Sequence, residues 1–266
     1  MVRRPLGNHH VGSDTLLVTS DTTQTEAVTA ETGNETEELR NLIADAHVVL
    51  WDFDGPICRL FAGHSAERVA DELVRWLEGQ GLHGVLTGPE RQSHDPHVVL
   101  RAVDRRHPGS DLVTELEARL TEEELRAVPS AQPTPYADPL IRTWKALGSR
   151  LAVTTNNSPL VVREYLDGRD LGGCFAPHVY GRTRDLKPLK PDPHCLNRAL
   201  SATGAAPDRA LMIGDTPADH EASLRAGVSF LGYARNARKE KLLREAGATV
   251  VVDSLEPVLR TLRDGL

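Results

Sequence analysis

The sequence predicts an α/β fold: a Rossmann-like parallel sheet with helices on both faces, plus a small all-helical cap domain. Three observations lead there. Short apolar runs end abruptly in polar turns, as buried parallel strands do where they empty into loops. From about residue 138 onward, these runs alternate with helical stretches that proline opens and glycine stops. Between the first and second runs lies a long segment with helical periodicity and no strand pattern.

Taken in order, residues 1–40 are rich in Thr, Ser, Glu and Gly and carry no period. They read as a flexible N-terminal tail, unable to bury enough apolar surface to offset their ordering entropy. The first strand is Ala46 to Trp51, ending at Asp52-Phe53-Asp54-Gly55. Residues 58–136 form the expected cap. One helix there presents Ala66, Val69, Ala70, Leu73 and Leu77 on one face, a second spans Pro96 to Arg106, and a third Asp111 to Leu120. Thr121-Glu122-Glu123-Glu124 resembles a capping box that opens a fourth helix. Pro129, Pro133 and Pro135 close the segment.

The expected core is 41–57 together with 137–266. A helix opens at Asp138-Pro139 and stops at Gly148. The strand Leu151 to Val153 follows and ends at Thr154-Thr155-Asn156. Further helices open at Ser158-Pro159 and at Asp192-Pro193, the latter stopping at Gly204. The strand Ala210 to Ile213 ends at Gly214-Asp215. Helices at Pro217 to Ala226 and Asn236 to Ala246, and weaker strands at 228–231 and 249–252, complete the alternation.

Composition excludes several classes. Net charge is −7, which argues against nucleic acid as a bulk partner. No apolar run approaches the ~20 residues that span a bilayer, so a membrane is not expected and the cytoplasm is the expected compartment. Arg3-Arg4 lacks the apolar stretch of an export signal. Cys58, Cys174 and Cys195 are far apart, in no metal-binding or disulfide spacing. The chain is expected as a monomer or homodimer.

Polar residues at the carboxyl ends of neighbouring parallel strands converge on one crevice. Here three strand ends supply Asp52 and Asp54, then Thr155 and Asn156, then Asp215. Three carboxylates in one crevice need a cation, and their hard oxygens suit Mg²⁺. A phosphate ester would then find the Thr155 hydroxyl, the Asn156 N–H and the charge of Lys190. The lysine is held in the Pro-flanked segment Leu189-Lys190-Pro191-Asp192-Pro193. Lys187 is its rival in the same segment.

The motifs WDFDG at 51–55, VTTN at 153–156, LKPDP at 189–193 and MIGDTPAD at 212–219 stand in this order. Together they resemble the haloacid dehalogenase-like hydrolases, particularly the phosphoglycolate phosphatase-like branch, over about residues 46–253. The cap lies where that branch places its own. The resemblance implies a phosphatase acting on a small phosphorylated metabolite. It implies Asp52 as the nucleophile that becomes an aspartyl-phosphate and Asp54 as general acid and base, with Phe53 supplying backbone. Thr155, Asn156 and Lys190 would bind phosphate. Mg²⁺ would be held by Asp52, Asp215 and the carbonyl of Asp54. Asp219 would support the metal or orient Lys190, and Gly55 and Gly214 would support the site.

Arg59, just past the catalytic loop, could meet a second anionic group on the substrate, and His64 and Arg182 could lie at the rim. Asp54 speaks against a haloacid dehalogenase, and the lysine-free cap segment against a phosphonate hydrolase. A sugar-phosphate mutase resembling β-phosphoglucomutase is the nearest enzymatic alternative, and a non-catalytic binding protein of the same fold a further one. Phosphoglycolate, sugar phosphates, nucleotides and phosphorylated intermediates of specialised metabolism all remain open as substrates.

Overall fold

A computed structural model of the chain describes residues 36–183, 186 and 189–265. The expected tail up to residue 35 and the rival Lys187 lie outside the described residues. Residues 36–45 are helical (α1), so residues 36–40, expected as tail, belong to a helix.

The chain then runs through β1 (Val48–Trp51), the short β2 (Cys58–Arg59), and helices α2 (Ala66–Gly79), α3 (Gly88–Arg91), α4 (Pro96–Arg106) and α5 (Asp111–Ala127). It returns through β3 (Gln132–Pro133) to α6 (Ala137–Ala146), β4 (Arg150–Thr154), α7 (Pro159–Asp167), α8 (Gly172–Phe175) and β5 (Val179–Tyr180). The last third is α9 (His194–Thr203), β6 (Ala210–Gly214), α10 (Pro217–Ala226), β7 (Ser229–Tyr233), α11 (Ala237–Glu245), β8 (Val251–Val252) and α12 (Glu256–Asp264).

Six strands form one parallel sheet in the order β5-β4-β1-β6-β7-β8. β1 is flanked by β4 and β6, in register Trp51↔Val153 and Trp51↔Ile213. The turns after these three strands therefore lie side by side. From β1 the chain builds outward through β4 and β5 on one side, then crosses back to β6, β7 and β8 on the other. This reversal opens the crevice in which such sheets bind ligands.

Strand alternation divides the core into two layers. Val49, Trp51, Val153 and Ile213 face α6, α7 and α12, where Trp51 packs edge-on against Trp144 at 5.7 Å. Val48, Leu50, Ala152 and Met212 face α9 and α10, against Leu196, Ala199 and Ala222.

Helices α2, α4 and α5 enclose an apolar core of their own, with Val69, Leu73, Val99, Leu100, Val103, Leu116 and Leu120 buried among them. This is the all-helical cap. Ser65, Asp95 and Ser110 cap its three long helices, each accepting a main-chain N–H of the first turn.

One expectation fails here. Thr121 opens no fourth helix, because α5 runs unbroken to Ala127. Its hydroxyl turns back one turn to Glu117, and the buried face continues through Leu120, Glu124 and Ala127. The antiparallel pair β2–β3 joins the two crossings between cap and core, and the buried Thr134 hydroxyl donates to the Gly55 carbonyl there.

Candidate active site

The turn after β1 carries Asp52, Phe53 and Asp54. Phe53 does more than supply backbone: it is fully buried and packs edge-on against Tyr165 at 5.4 Å, anchoring the turn. Gly55 follows with φ +129°, a conformation that L side chains rarely adopt. A Cβ there would lie 2.3 Å from the Asp215 carboxyl carbon, so glycine is what lets this turn meet the turn after β6. Gly214 is required for a similar reason, since a Cβ on it would come within 2.4 Å of the Asp219 Cβ.

Lys190 crosses from the loop before α9. Its ammonium lies 2.8 Å from Asp52 Oδ1 and 2.5 Å from Asp219 Oδ1, and donates to the Thr154 carbonyl at 2.9 Å. Burial disfavours the charge, but the Asp219 and Asp52 carboxylates outweigh it and hold the lysine charged, well above its ordinary value. The main chain of Lys190 is fixed by the Asn156 side chain, which donates to its carbonyl at 3.1 Å and accepts its N–H at 2.8 Å. The expected phosphate turn and the expected lysine are thus one joined unit.

Asp219 lies against Lys190. Its Oδ2 is already occupied by the N–H groups of Asp215 (3.2 Å) and Thr216 (3.0 Å) and the Thr216 hydroxyl (2.7 Å), as the acidic partner in the capping box of α10. Its Oδ1 takes the lysine. Asp219 nevertheless belongs to the acidic group that could hold a metal: one ligand atom each of Asp52, Asp215 and Asp219 lie within 4.8 Å of one another. The Asp54 carboxylate is not in that group. Its Oδ1 accepts the Leu60 N–H at 2.9 Å.

The donor set fits a hard divalent cation. Asp215 Oδ1 is buried without a hydrogen-bond partner among the described residues, an orphaned charge-bearing oxygen beside Asp52. Asp215 Oδ2 pairs with Lys239 of α11. Burial pushes Asp52 up to about 6 against the pull of Lys190. Burial also raises Asp54, with the Leu60 N–H working the other way. A cavity of about 270 Å³ adjoins these groups and is lined by Asp52, Asp54, Thr155, Lys190 and Asp215 from the core and by Asp95, which caps α4, and His97 and Arg101 within it.

A model of the haloacid dehalogenase-like hydrolases matches residues 46–227, over two thirds of the sequence. The chain belongs to the haloacid dehalogenase-like hydrolase family.

Its likeness within that family falls in the phosphoglycolate phosphatase-like branch. A phosphoglycolate phosphatase of Aquifex aeolicus is 36% identical over 108 residues, 39% of this chain and 50% of that protein. One of Rhodospirillum rubrum is 37% identical over 105 residues, 38% of this chain and 43% of that protein. The matched segment spans half or less of these relatives' own length. Among solved structures, a putative β-phosphoglucomutase from Bacteroides vulgatus superposes with a TM-score of 0.63 at 23% identity, covering 87% of this chain and 98% of that one. At that identity the likeness is one of haloacid dehalogenase-like fold.

The rim residues divide. Arg59 lines a second cavity of about 520 Å³ that shares Asp54, Asp215 and Lys239 with the first, and its guanidinium is bonded to Gln132. His64 lines neither this cavity nor the smaller one and pairs with Glu123 of α5 at 2.8 Å. Arg182 is no rim residue: its side chain is fully buried against Glu124. Sequence reasoning missed Lys239, Arg235, His97 and Arg101. Lys239 and Arg235 lie in and before a helix whose charges are otherwise solvated. The signal at α4 is an Asp-Pro helix start that aims His97 at the core. No helix among the described residues is long and apolar enough to cross a membrane.

Proposed function

We propose that this chain is a Mg²⁺-dependent phosphatase that hydrolyses a small phosphate monoester through an aspartyl-phosphate on Asp52. The observation that carries the reading is the Lys190 ammonium between Asp52 and Asp219, beside a buried Asp215 Oδ1 that has no hydrogen-bond partner among the described residues. In this reading residues 58–136 act as the cap over a catalytic core of 41–57 and 137–266.

Lys190 engages Asp52 Oδ1, which leaves the second oxygen to attack phosphorus. The Asp52–phosphorus bond forms as the ester oxygen departs, and Asp54 gives that oxygen its proton. Asp54 then takes a proton from water as the water attacks phosphorus. The Asp52–phosphorus bond breaks and orthophosphate leaves. The raised Asp54 is a carboxyl that can carry the required proton. The Thr155 hydroxyl, the Asn156 N–H and Lys190 bind the phosphoryl oxygens. Asp52, Asp215 and the Asp54 carbonyl would hold Mg²⁺, which would supply charge neutralisation, the main lever in phosphoryl transfer.

The larger cavity receives the leaving group. Arg59, Arg235 and Lys239 line it, and its one cap carboxylate, Glu67, is paired with His94 at 3.0 Å. The core carboxylates Asp54 and Asp215 also line it and bring the carboxylates level in number with the three cations. Because both belong to the chemistry and Asp215 already holds Lys239, Arg59 and Arg235 are left to meet an anionic group on the leaving portion.

The deciding experiment is phosphate release from a panel of metabolite phosphates, with Mg²⁺ and with EDTA. Stoichiometric phosphate release that EDTA abolishes, and that Asp52→Asn lacks, is the expected result. Activity unchanged in EDTA rejects the metal role. Return of the phosphoryl group to sugar instead of water identifies a mutase.

A further inference from the structure

The turn after β4, which the phosphatase reading gives to phosphate, is fastened from the cap. Glu124, near the end of α5, has a side chain with 0% exposure. Its Oε1 accepts from Asn157 Nδ2 at 3.0 Å and its Oε2 from the Ser158 N–H at 3.1 Å. Arg182, in the loop after β5 and equally buried, grips the same carboxylate with both terminal nitrogens, at 2.9 and 3.1 Å. The guanidinium also donates to the Asn156 carbonyl at 3.1 Å, to Glu117 at 2.9 Å and to the Thr121 hydroxyl at 2.8 Å.

Three consecutive residues, Asn156, Asn157 and Ser158, are therefore tied to one buried ion pair. The tie reaches one step further. With its nitrogen committed to Glu124, the Asn157 amide turns its oxygen to Thr155, whose hydroxyl donates to it at 3.0 Å and accepts the Asn157 N–H at 3.2 Å. The oxygen of Thr155 is thus set by Asn157, and Asn157 by Glu124. Rotation about its C–O bond can hand the hydroxyl proton to a bound phosphate without moving that oxygen.

Stability alone does not account for such a pair. A buried salt bridge is often no better for the fold than apolar residues of equal volume, because desolvation offsets the attraction. What the pair adds is geometry: a forked, fully satisfied contact that admits one arrangement of the turn.

We propose that Glu124 and Arg182 are positioning residues for phosphate, a cap carboxylate and a core arginine that hold residues 155–158 in their anion-accepting shape. The inference rests on the phosphatase reading.

The test compares the full-length wild type, Asn157→Ala, and the double variant Glu124→Gln/Arg182→Met. Each is titrated calorimetrically with inorganic phosphate and, separately, with Mg²⁺, and assayed on p-nitrophenyl phosphate. The expected result in both variants is phosphate affinity weaker by about ten-fold or more. KM rises more than kcat falls, and Mg²⁺ affinity stays within about two-fold because the acidic side of the pocket is untouched. Asn157→Ala leaves the ion pair intact, so it decides the matter if the double variant does not fold. Wild-type phosphate affinity and KM in folded Asn157→Ala overturn the inference, and so does an equal loss of phosphate and Mg²⁺ binding, the mark of general disorder. A wild type that neither binds phosphate nor turns over the ester overturns the phosphatase reading, and this inference with it.

Discussion

Single atoms set the spacing of this site. The Gly55 main chain passes so close to Asp215 that one added methyl would overlap the carboxyl group, at a φ that alanine also resists. Gly55→Ala must therefore twist the turn or displace Asp215. The expected cost is about 1–3 kcal/mol in unfolding free energy, with Mg²⁺ affinity lowered in calorimetric titration. Unchanged Mg²⁺ binding would mean that Asp215 is not a ligand. Lys190 gives a second prediction. Replacing it with Met leaves Asp52 and Asp219, both nearly inaccessible, without their shared cation. Breaking a buried pair on one side costs about 3–5 kcal/mol, measurable by urea denaturation at pH 7. A loss below 1 kcal/mol would mean that the lysine does not hold these carboxylates. That Asp52, Lys190 and Asp215 belong together could be read from the sequence, because each follows an apolar run or a proline-flanked turn. That Asp219 spends one oxygen on capping and the other on Lys190 could not, since the capping signal and the ligand signal are the same residue in the same place.

Among the elements, α4 carries the clearest pH signature. Burial works against a charge on His97, but hydrogen bonds to Asp95 and Glu124 prevail and raise it from 6.5 to about 9. A raised group contributes stability that is complete below its unfolded value and is lost as pH rises through the folded one. Glu124 behaves oppositely: Arg182 and His97 overcome its burial and lower it to about 2, so its contribution is lost as pH falls through that value. Unfolding free energy is therefore expected to fall between pH 6.5 and 9, by an amount of order 3 kcal/mol, and His97→Gln to flatten that limb. An unchanged slope in His97→Gln would remove His97 as its origin. The elements themselves were legible where local chemistry and burial agree, as in α4, with its Asp-Pro start, and β6, buried throughout. β5 was not, because its two residues are half-buried and become a strand only by pairing with β4. In α5 a capping pattern was read where the apolar period ran on. The better signal was Glu124 four residues after Leu120, a carboxylate on the buried face of an amphipathic helix.

At the scale of the whole molecule, the larger cavity lies where core and cap meet: Gly55, Asp215, Arg235 and Lys239 come from the core, and Phe61, Ala62, Gly63, Ser65, Glu67 and His94 from the cap. Its charges are not equivalent. Lys239 is drawn to Asp215 and Arg59 to Gln132, whereas the exposed Arg235 has no carboxylate partner among the described residues. Arg235 is thus the cation most available to a substrate, and its removal should alter selectivity before it alters chemistry. A charge-assisted hydrogen bond contributes about 1.5–3 kcal/mol, which corresponds to about ten- to hundred-fold in kcat/KM. Arg235→Glu is expected to lose that factor on esters whose leaving group carries a carboxylate or second phosphate, and to keep p-nitrophenyl phosphate turnover within about three-fold, since the nucleophile, acid and lysine are unaltered. Salt separates the electrostatic cause from a steric one. Raising ionic strength from about 0.01 to 1 M shortens the Debye length from about 30 to 3 Å. The wild-type preference for anionic leaving groups should shrink with it, whereas a preference set by shape would not. Equal losses on charged and uncharged leaving groups, or a preference indifferent to salt, would remove Arg235 from substrate selection and leave the cavity a solvent-filled gap between cap and core.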